Sequence, residues 1–379
     1  MLRRAFVKDL AFLASIAAPL PRNSLARSLK AGDADITAAH IPRWRGFNLQ
    51  GRFPWPDHPY DGPAFDEFDF ATMADWGFDF ARLPLSYWVW GSRDDWTLIR
   101  EEPLKQIDRA VDLGKQHDIH ININFHRIPG YCINQRELEP ADLFTGTKPQ
   151  REKALKAAAF HWQAFAKRYK GIPNRQVSFD LINEPPKMRS YEGMLEERYV
   201  EIVTTLVGAI REIDPNRLIF ADGMNIGQAP VEGIVNLGLV QSTRGYQPKA
   251  VSHYTATWVP KDEFETFKLP TWPLTDNQGV VWNREHLQKV YVDLYKVITD
   301  KGVQVHVGEW GCFNKTPHDV ALAWITDCLA VWKQAGWGNA LWELRGAFGV
   351  MDSERADVTY EDYKGHQLDR KMLELVRNA

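Results

Sequence analysis

Strict alternation of apolar and polar residues marks a predicted strand at residues 119–126. The apolar positions are Ile119, Ile121, Ile123 and Phe125, and the polar positions are His120, Asn122, Asn124 and His126. Successive side chains of a strand point to opposite faces, so the two sets must face different surroundings. In a closed sheet we expect the apolar set to pack on the surrounding helices and the polar set to face the barrel interior.

Short strand patterns of this kind recur along the chain after residue 40. Each is followed by a polar loop and then by a stretch with apolar residues at three- and four-residue spacing, which is typical of a parallel sheet built from βα units. Strands are predicted near residues 45–49, 78–84, 119–125, 177–183, 218–221, 250–253, 305–309 and 340–344. Helices are predicted at residues 103–117, 151–169, 199–213, 284–301 and 318–335. Eight strands predict an α/β fold of the (β/α)8 TIM barrel type, with a single catalytic domain over residues 41–379.

The fourth predicted strand ends on a carboxylate. The run at 177–183 must stop at Asn183 and Glu184, because Pro185 follows and cannot donate a hydrogen bond to a ladder. Alternation places Glu184 on the polar face with Asp180, whereas Asn183 shares the parity of the apolar residues. Barrel enzymes carry their catalytic residues at the carboxyl ends of the strands, so Glu184 is a candidate functional residue.

The seventh predicted strand also ends on a glutamate. Residues 303–309 form a β-branched run closed by Glu309, and Gly311 adds a turn signal. Glu309 shares its parity with three valines of the run, so the pattern leaves open which way its side chain faces. Two glutamates at strand ends suggest a general acid paired with a nucleophile.

Charge gives no sign of a nucleic-acid or membrane partner. The 46 Lys and Arg residues are scattered among 49 Asp and Glu residues, and the formal net charge is −3. We therefore expect neither nucleic acid nor an anionic membrane surface as a partner.

Aromatic residues are abundant, with 15 Trp, 12 Tyr and 19 Phe. Such rings offer flat apolar surfaces on which the faces of sugars can stack, as bases do. Trp55, Trp88, Trp90 and Trp272 stand in surroundings that suggest exposure. Core packing is the alternative for each of them.

The amino terminus has the pattern of an export signal. Arg3 and Arg4 precede an apolar stretch at residues 10–18, and small residues near Ala26 offer a cleavage site, which resembles a twin-arginine signal. We expect a leader over residues 1–40 and export from a bacterial cytoplasm to the periplasm or the medium. A basic amphipathic helix of the mature protein is the alternative. No other stretch is long and apolar enough to span a bilayer.

The three cysteines do not predict a disulfide framework or a metal site. Cys132, Cys312 and Cys328 cannot all be paired within the chain, and no spacing of cysteine and histidine suggests zinc. We interpret them as free or structural thiols.

Five motifs follow one another at the predicted strand ends. They are FARLP at residues 80–84, NFH at 124–126, NEP at 183–185, GEWG at 308–311 and WELRGAFGVMD at 342–352. In this order and spacing the set resembles glycoside hydrolase family 5, the cellulase-like family of barrel glycosidases, over roughly residues 42–377.

The resemblance implies a retaining glycosidase. Glu184 would be the general acid/base and Glu309 the nucleophile of a double displacement, for which the two carboxyl groups lie about 5–5.5 Å apart. Glu184 must then be protonated, through burial and the proximity of Glu309, while Glu309 stays ionised. Arg82 is expected to hold Glu309 charged. An ion pair of Arg82 with Asp79 or another interior acid is the alternative.

The resemblance also implies a set of residues that bind the reacting sugar. Asn183 would donate a hydrogen bond to the 2-hydroxyl group, with capping of the loop as the alternative. His126 would line the subsite, and Trp342 would form the aromatic platform beneath the ring, with core packing as the alternative. No cofactor and no metal ion is required for this chemistry.

Strand six departs from the family pattern. The family shows His-x-Tyr there, whereas the predicted sixth strand of this chain carries Ser252-His253-Tyr254-Thr255. Either His253 or Tyr254 could occupy its family position, and the hydroxyl group of Tyr254 could orient Glu309. We expect both residues to contribute.

The expected substrate is a polysaccharide or oligosaccharide, with β-glucan preferred and β-mannan second. The loop at 256–283 is long and carries Trp258, Trp272 and Trp282, and we expect it to wall one side of the cleft and favour short glucans or chain ends. A non-catalytic carbohydrate-binding barrel is an alternative of another class. A metal-dependent hydrolase is a further one, for which only His126 and His253 stand at strand ends. The exact glycan, endo or exo action and the oligomeric state remain open.

Overall fold

The computed structural model describes residues 36–53, 65–186, 196–259 and 269–379. The predicted leader at residues 1–40 lies outside this part of the chain except for residues 36–40, and Trp55 also lies outside it. Within the described ranges, helices are too short or too polar to cross a membrane.

Eight parallel strands form a closed barrel. They are β1 (Arg45–Asn48), β2 (Phe80–Ser86), β3 (His120–Ile128), β4 (Val177–Asp180), β5 (Ile219–Asp222), β6 (Val240–Gly245), β7 (Val305–Trp310) and β8 (Gly338–Leu341). Neighbouring strands pair in the order β2, β1, β8, β7, β6, β5, β4, β3, and pairing of β3 with β2 closes the ring. The predicted (β/α)8 barrel is confirmed.

Helices follow the strands, and they include those predicted near residues 103–117, 151–169, 199–213, 284–301 and 318–335. They are α1 (Glu67–Asp75), α2 (Glu101–His117), α3 (Lys148–Arg168), α4 (Glu196–Arg211), α5 (Met224–Gly227), α6 (Lys249–Ser252), α7 (Arg284–Gln288), α8 (Leu294–Thr299), α9 (His318–Gln334) and α10 (Arg370–Asn378). A π-helical turn at Lys289–Asp293 joins α7 to α8. The helix predicted at 284–301 is therefore one continuous helical segment that contains a π-helical turn. Short hairpins pair Leu274–Thr275 with Val281–Trp282 and Glu361–Tyr363 with His366–Leu368.

The predicted sixth strand is wrong. Residues 250–253 lie in and just after α6, and the sixth strand is Val240–Gly245. This strand is buried on both faces, yet its outward positions are polar: the side chains of Gln241 and Thr243 hydrogen-bond backbone groups of Val231 and Gly227. The apolar run that usually marks a buried parallel strand is therefore missing from the sequence.

The facing predicted for β3 is confirmed. Phe125 stacks on Trp162 of α3 with ring centroids 3.8 Å apart, on the helical side of the sheet. On the inner side, His120 Nε2 lies 2.7 Å from Ser178 Oγ, and Asn122 donates to the same oxygen over 2.9 Å. Polar side chains thus line the barrel along β3.

Aromatic and apolar side chains fill the amino-terminal end of the barrel. They are Trp44, Phe80, Leu218, Phe220, Val240 and Ala340. His120 and His306 pack against the Phe80 ring, and burial lowers the pKa of each to about 3, so both are neutral packing residues. Charged side chains of the interior are consequently concentrated at the carboxyl end of the strands.

Candidate active site

The chain leaves β4 through a distorted segment that turns two neighbouring side chains into the barrel mouth. The regular strand ends at Asp180, and Glu184 adopts a left-handed backbone with φ of 48°. Two hydrogen bonds fix this conformation: the Glu184 backbone N–H donates to Asp222 over 2.8 Å, and Tyr131 donates to the Glu184 carbonyl oxygen over 2.6 Å. Alternation had placed Asn183 on the outer face, and that expectation is wrong because the parity is lost after the strand ends.

A β-bulge decides the facing of Glu309, which the sequence left open. The register of β7 shifts between Val307 and Glu309 against β6. Gly308 faces the interior, where a Cβ atom would lie 2.4 Å from Ser242 Oγ, so only glycine fits. The extra residue of the bulge brings the next side chain, Glu309, to the interior as well.

Arg82 on β2 contacts Glu309, as expected, and also the interior acid Asp180. Its Nη1 donates to Glu309 Oε1 over 2.6 Å, and its Nε donates to Asp180 over 2.8 Å. Its remaining donors reach Asn48 over 3.0 Å and Asn183 over 2.9 Å. The pairing with Glu309 and the pairing with an interior acid therefore coexist, whereas Asp79 accepts from the backbone of Arg45.

Arg244 at the end of β6 is a second buried guanidinium that the sequence reasoning missed. Its Nε donates to Glu184 Oε1 over 3.1 Å, and its Nη2 lies 3.2 Å from Glu309 Oε1. It also donates to Asn183 over 2.8 Å and binds both carboxylate oxygens of Asp222, one of them over 3.0 Å. One guanidinium group thus spans both candidate glutamates.

The carboxyl group of Glu184 is held in its protonated form by its surroundings. Burial raises its pKa most, and the negative charge of Glu309 raises it further. The cations Arg244 and Arg82 act in the opposite direction, and the resulting pKa is about 8. Glu184 therefore keeps a proton at neutral pH, which a general acid needs.

The side-chain amide of Asn183 is oriented by the two arginines. Its oxygen accepts from Arg82 over 2.9 Å and from Arg244 over 2.8 Å. Guanidinium groups can only donate, so the other amide atom must be the NH2 group. That nitrogen is buried and makes no hydrogen bond to any residue that the structure describes, which leaves a donor for a ligand.

His126 and Trp342 pack together, and His126 lies beside Glu309. The His126 and Trp342 rings are 5.6 Å apart, and the Phe53 ring contacts both of them edge-on. His126 Nδ1 lies 3.9 Å from Glu309 Oε1 and makes no hydrogen bond within the described part of the chain. Burial and three neighbouring arginines lower the pKa of His126 well below its ordinary value, so the imidazole is neutral.

The hydroxyl group beside Glu309 belongs to Tyr246 and not to Tyr254. Tyr246 follows β6 directly, and its hydroxyl lies 3.4 Å from Glu309 Oε2. His253 follows α6 and packs edge-on against the Tyr246 ring at 4.9 Å. The prediction that His253 and Tyr254 occupy the sixth strand fails because that strand is elsewhere. Arg244 and Tyr246 have the spacing of the family's His-x-Tyr, with arginine in place of histidine.

The tryptophans that the sequence suggested for stacking on sugars differ in their burial and in their contacts. Trp90 is fully buried, so the expectation of exposure was wrong for it. Trp272 and Trp282 donate to Asp327 and Asp276, each over 2.9 Å, and serve to pack the 256–283 loop, of which residues 260–268 lie outside the described part. Trp258 is 57% exposed, and its ring packs edge-on against Phe313 at 4.9 Å.

A cavity of about 520 Å³ lies between the ends of β1 and β8. Its lining includes Asn48, Phe53, Asp69 and Glu343. Since Phe53 also contacts His126 and Trp342, the cavity continues from the aromatic side of the site. Burial raises the pKa of Glu343 to about 8, so its carboxyl group is protonated at neutral pH.

Residues that could bind a metal ion are not clustered in the described part of the chain. No group of three or more His, Cys, Asp or Glu residues there is arranged to hold an ion. The three cysteines are buried free thiols, as predicted. The site instead contains the protonated carboxyl group of Glu184 and the carboxyl group of Glu309, and Arg244 contacts both. The amide NH2 group of Asn183 is a further donor beside them.

Known proteins resemble the chain over most of its length. The family model described as Cellulase (glycosyl hydrolase family 5) matches residues 34–347. Endoglucanase C of Acetivibrio thermocellus is 25% identical over 326 residues, which cover 78% of this chain and 90% of that protein. Cellodextrinase A of Ruminococcus flavefaciens is 24% identical over 288 residues, covering 74% and 79%.

Solved structures share the fold. A crystal structure described as that of a glycoside hydrolase has 37% sequence identity and a TM-score of 0.82, and the match covers 89% of this chain and 99% of that one. A hyperthermophilic endo-β-1,4-glucanase in complex with substrate has 18% identity and a TM-score of 0.68, with coverage of 90% and 99%. At that identity the second likeness concerns the fold alone.

Proposed function

Because the chain belongs to glycosyl hydrolase family 5, we propose that it hydrolyses β-glycosidic bonds of a β-glucan with retention of configuration. Glu184 is the general acid/base and Glu309 the nucleophile. The observation that carries the proposal is the bridge formed by Arg244, whose single guanidinium contacts both carboxyl groups at 3.1 and 3.2 Å. Such a short bridge suits the close pair of a retaining enzyme better than the gap of about 6.5–9.5 Å that holds a water in an inverting one.

In the first step Glu309 attacks the anomeric carbon, and the bond to the leaving oxygen breaks. Glu184 transfers its proton to that oxygen, so the leaving sugar departs as a neutral alcohol and a glycosyl ester forms on Glu309. The pKa of about 8 keeps this proton on Glu184 at neutral pH. Arg82 and Arg244 compensate the charge of the buried Glu309 carboxylate before the attack.

In the second step Glu184 acts as a base. It takes a proton from water while the water oxygen attacks the anomeric carbon, and Glu309 leaves as a carboxylate. The free amide N–H of Asn183 is placed to donate to the sugar 2-hydroxyl group, a bond that strengthens as positive charge develops at the anomeric centre. Trp342 and His126 line the subsite of the reacting ring.

The choice of β-glucan follows the relatives, which are an endoglucanase and a cellodextrinase by description. β-Mannan is the second candidate from the sequence, because the two polymers differ in the orientation of one hydroxyl group. We further propose that residues 41–379 form the catalytic domain and that residues 1–40 direct export to the periplasm or the medium.

The test is reducing-sugar release from a panel of β-glucans, mannan, xylan and matched oligosaccharides. The purified protein is compared with Glu309→Ala and with Glu285→Ala, which removes an exposed helical glutamate. Release from β-glucan that is lost in Glu309→Ala and kept in Glu285→Ala is the expected result. Release from mannan alone would replace the substrate, and binding without release from any glycan would favour the non-catalytic carbohydrate-binding barrel and overturn the proposal.

A further inference from the structure

We infer that Arg244 and Asp222 form a positioning pair that aligns Glu184, Asn183 and Glu309 for the reaction. The inference rests on the proposed function, because it assigns work to residues that surround the two proposed catalytic glutamates. Neither residue carries out a chemical step itself. Their part is to fix the geometry of the three groups and to balance the charge beside Glu184.

Arg244 contacts all three groups at once. Its guanidinium is fully buried and reaches the Glu184 carboxyl over 3.1 Å, the Asn183 amide oxygen over 2.8 Å and the Glu309 carboxyl over 3.2 Å. These groups come from two different strand ends, β4 and β7. A rigid planar fork that joins them restricts their relative positions more than separate single contacts would.

Asp222 completes the arrangement from β5. Both of its carboxylate oxygens accept from Arg244, which fixes the plane of the guanidinium. One of these oxygens also accepts from the backbone N–H of Glu184 over 2.8 Å. Because Glu184 has a left-handed backbone that is costly for a residue with a side chain, this bond stabilises the conformation that directs its carboxyl group into the site.

Arginine stands where the resemblance to the family implies histidine. The family pattern has histidine two residues before the tyrosine, and here Arg244 stands two residues before Tyr246. A histidine has two ring nitrogens and can lose its charge near neutral pH, whereas arginine has five donors and stays charged. The guanidinium of Arg244 contacts Glu184, Asn183 and Glu309 together.

Asp222 also offsets the effect of the Arg244 charge on the proton of Glu184. A cation 3.1 Å from Glu184 would by itself favour loss of the proton that Glu184 must deliver. Asp222 binds the same guanidinium and offsets its charge, so Glu184 can remain protonated before the reaction. When the proton leaves, Arg244 is already in place beside the carboxylate that forms.

Other charged and titratable groups around Glu184 also act on its pKa, so a pH test must take them into account. The charged and titratable side chains that face it are Arg82, Tyr131, Asp222, Arg244, Tyr246 and Glu309. Asp180 and His126 lie one contact further away, through Arg82 and Glu309 respectively. Variants of Arg244 and Asp222 leave these other groups unchanged, so they change only the cation and the anion of the pair.

The experiment follows kcat, KM and the basic limb of the pH profile on cellotetraose, a β-1,4-glucan oligosaccharide. Arg244→Gln removes the cation and leaves Asp222 unopposed, so the basic limb should move to higher pH. Asp222→Asn leaves the cation unopposed, so the limb should move to lower pH. Each shift should be about one pH unit or more. The double variant should return the limb towards the wild-type position.

Loss of alignment has a separate signature in kcat. Both single variants and the double variant should lose roughly tenfold to a hundredfold in kcat with little change in KM, because a small misplacement of reacting groups has effects of this size. Arg244→Lys keeps the charge but not the fork, so its limb should stay in place while its kcat falls. This variant also serves if Arg244→Gln does not fold.

Arg217→Gln is the matched control, since Arg217 is another buried arginine that binds backbone carbonyl groups of Val177 and Tyr169 away from the glutamates. It should lower the melting temperature without moving the limb. Equal limbs in Arg244→Gln and Asp222→Asn, or shifts in the same direction, would overturn the inference, as would an unchanged kcat. Failure of the proposed function looks different, because Glu309→Ala would then retain wild-type activity or the wild-type protein would not cleave the substrate.

Discussion

The hydroxyl group of Tyr246 lies 3.4 Å from Oε2 of Glu309, at the end of a strand that the sequence pattern did not reveal. The carboxylate thus receives Arg82 on one oxygen and the tyrosine on the other. These two contacts hold the Glu309 carboxyl group from both oxygens, and they assign the neighbouring hydroxyl group to Tyr246.

Tyr246→Phe should lower kcat by about tenfold, the effect of losing one hydrogen bond to a charged group. Tyr254→Phe is the matched control, because the sequence pattern predicted that the Tyr254 hydroxyl group orients Glu309. Its removal should leave kcat within about twofold. Steady-state kinetics of the two variants on cello-oligosaccharides provide the comparison. Equal losses, or a larger loss in Tyr254→Phe, would contradict the assignment.

The proton on Glu184 predicts an alkaline limit to activity. Its pKa is raised to about 8, so the protonated acid is present at neutral pH and is lost as the pH rises through that value. The value of kcat/KM should therefore fall above pH about 8. Glu184→Gln should abolish this limb and reduce the hydrolysis of natural glucans by about 10²- to 10⁴-fold. Aryl glycosides, whose leaving groups need less protonation, should lose much less, and an equal loss on both substrates would argue against the acid role.

The free amide of Asn183 predicts an interaction with a single hydroxyl group. Asn183→Ala should lower kcat by about 10²- to 10³-fold on a glucoside, as removal of a donor to a developing charge does. On the matching 2-deoxyglucoside the same substitution should cost much less, because the partner of the amide is already absent. A double-mutant cycle over enzyme and substrate gives the coupling energy. Equal losses on both substrates would assign Asn183 a purely structural role.

The raised pKa of Glu343 predicts how stability depends on pH. The folded protein binds this proton up to pH about 8, whereas the unfolded chain releases it near the ordinary value of 4.5. The contribution to stability is therefore fully present below pH 4.5 and is lost as the pH rises through 8. Compared with Glu343→Gln, the wild-type protein should be relatively more stable at pH 5 and relatively less stable at pH 9. Melting temperatures of both proteins at the two pH values test this, and a difference independent of pH would contradict it.

Sequence patterns predicted the barrel because most of its strands follow simple rules. The polar and apolar sets of β3 face the sides that alternation assigns, and the glutamate at the end of β7 reaches the site. The rules failed where local geometry departs from a regular strand. Asn183 faces inward because regular strand β4 ends at Asp180, and Glu309 does so because of a bulge at Gly308.

The sixth strand could not be found from apolar periodicity. Its outward residues Gln241 and Thr243 are polar and hydrogen-bond backbone groups, and its inward residues include the charged Arg244. One signal was present: Arg244 and Tyr246 repeat the spacing of the family's His-x-Tyr at a chain position between β5 and β7. To recognise this signal, one must accept an arginine where the family pattern has a histidine. The sequence pattern gives no reason for that exchange, whereas the contacts of Arg244 with Glu184, Asn183 and Glu309 do.

The most direct test is to trap the glycosyl ester with a 2-deoxy-2-fluoro cellobioside that carries an activated leaving group. The fluorine slows both steps, and the good leaving group lets the first step proceed, so the ester accumulates. Peptide mass spectrometry should then place one added disaccharide on Glu309. A label on Glu184 or on another residue, or turnover without any covalent label, would contradict the assignment of Glu309 as the nucleophile of a retaining enzyme.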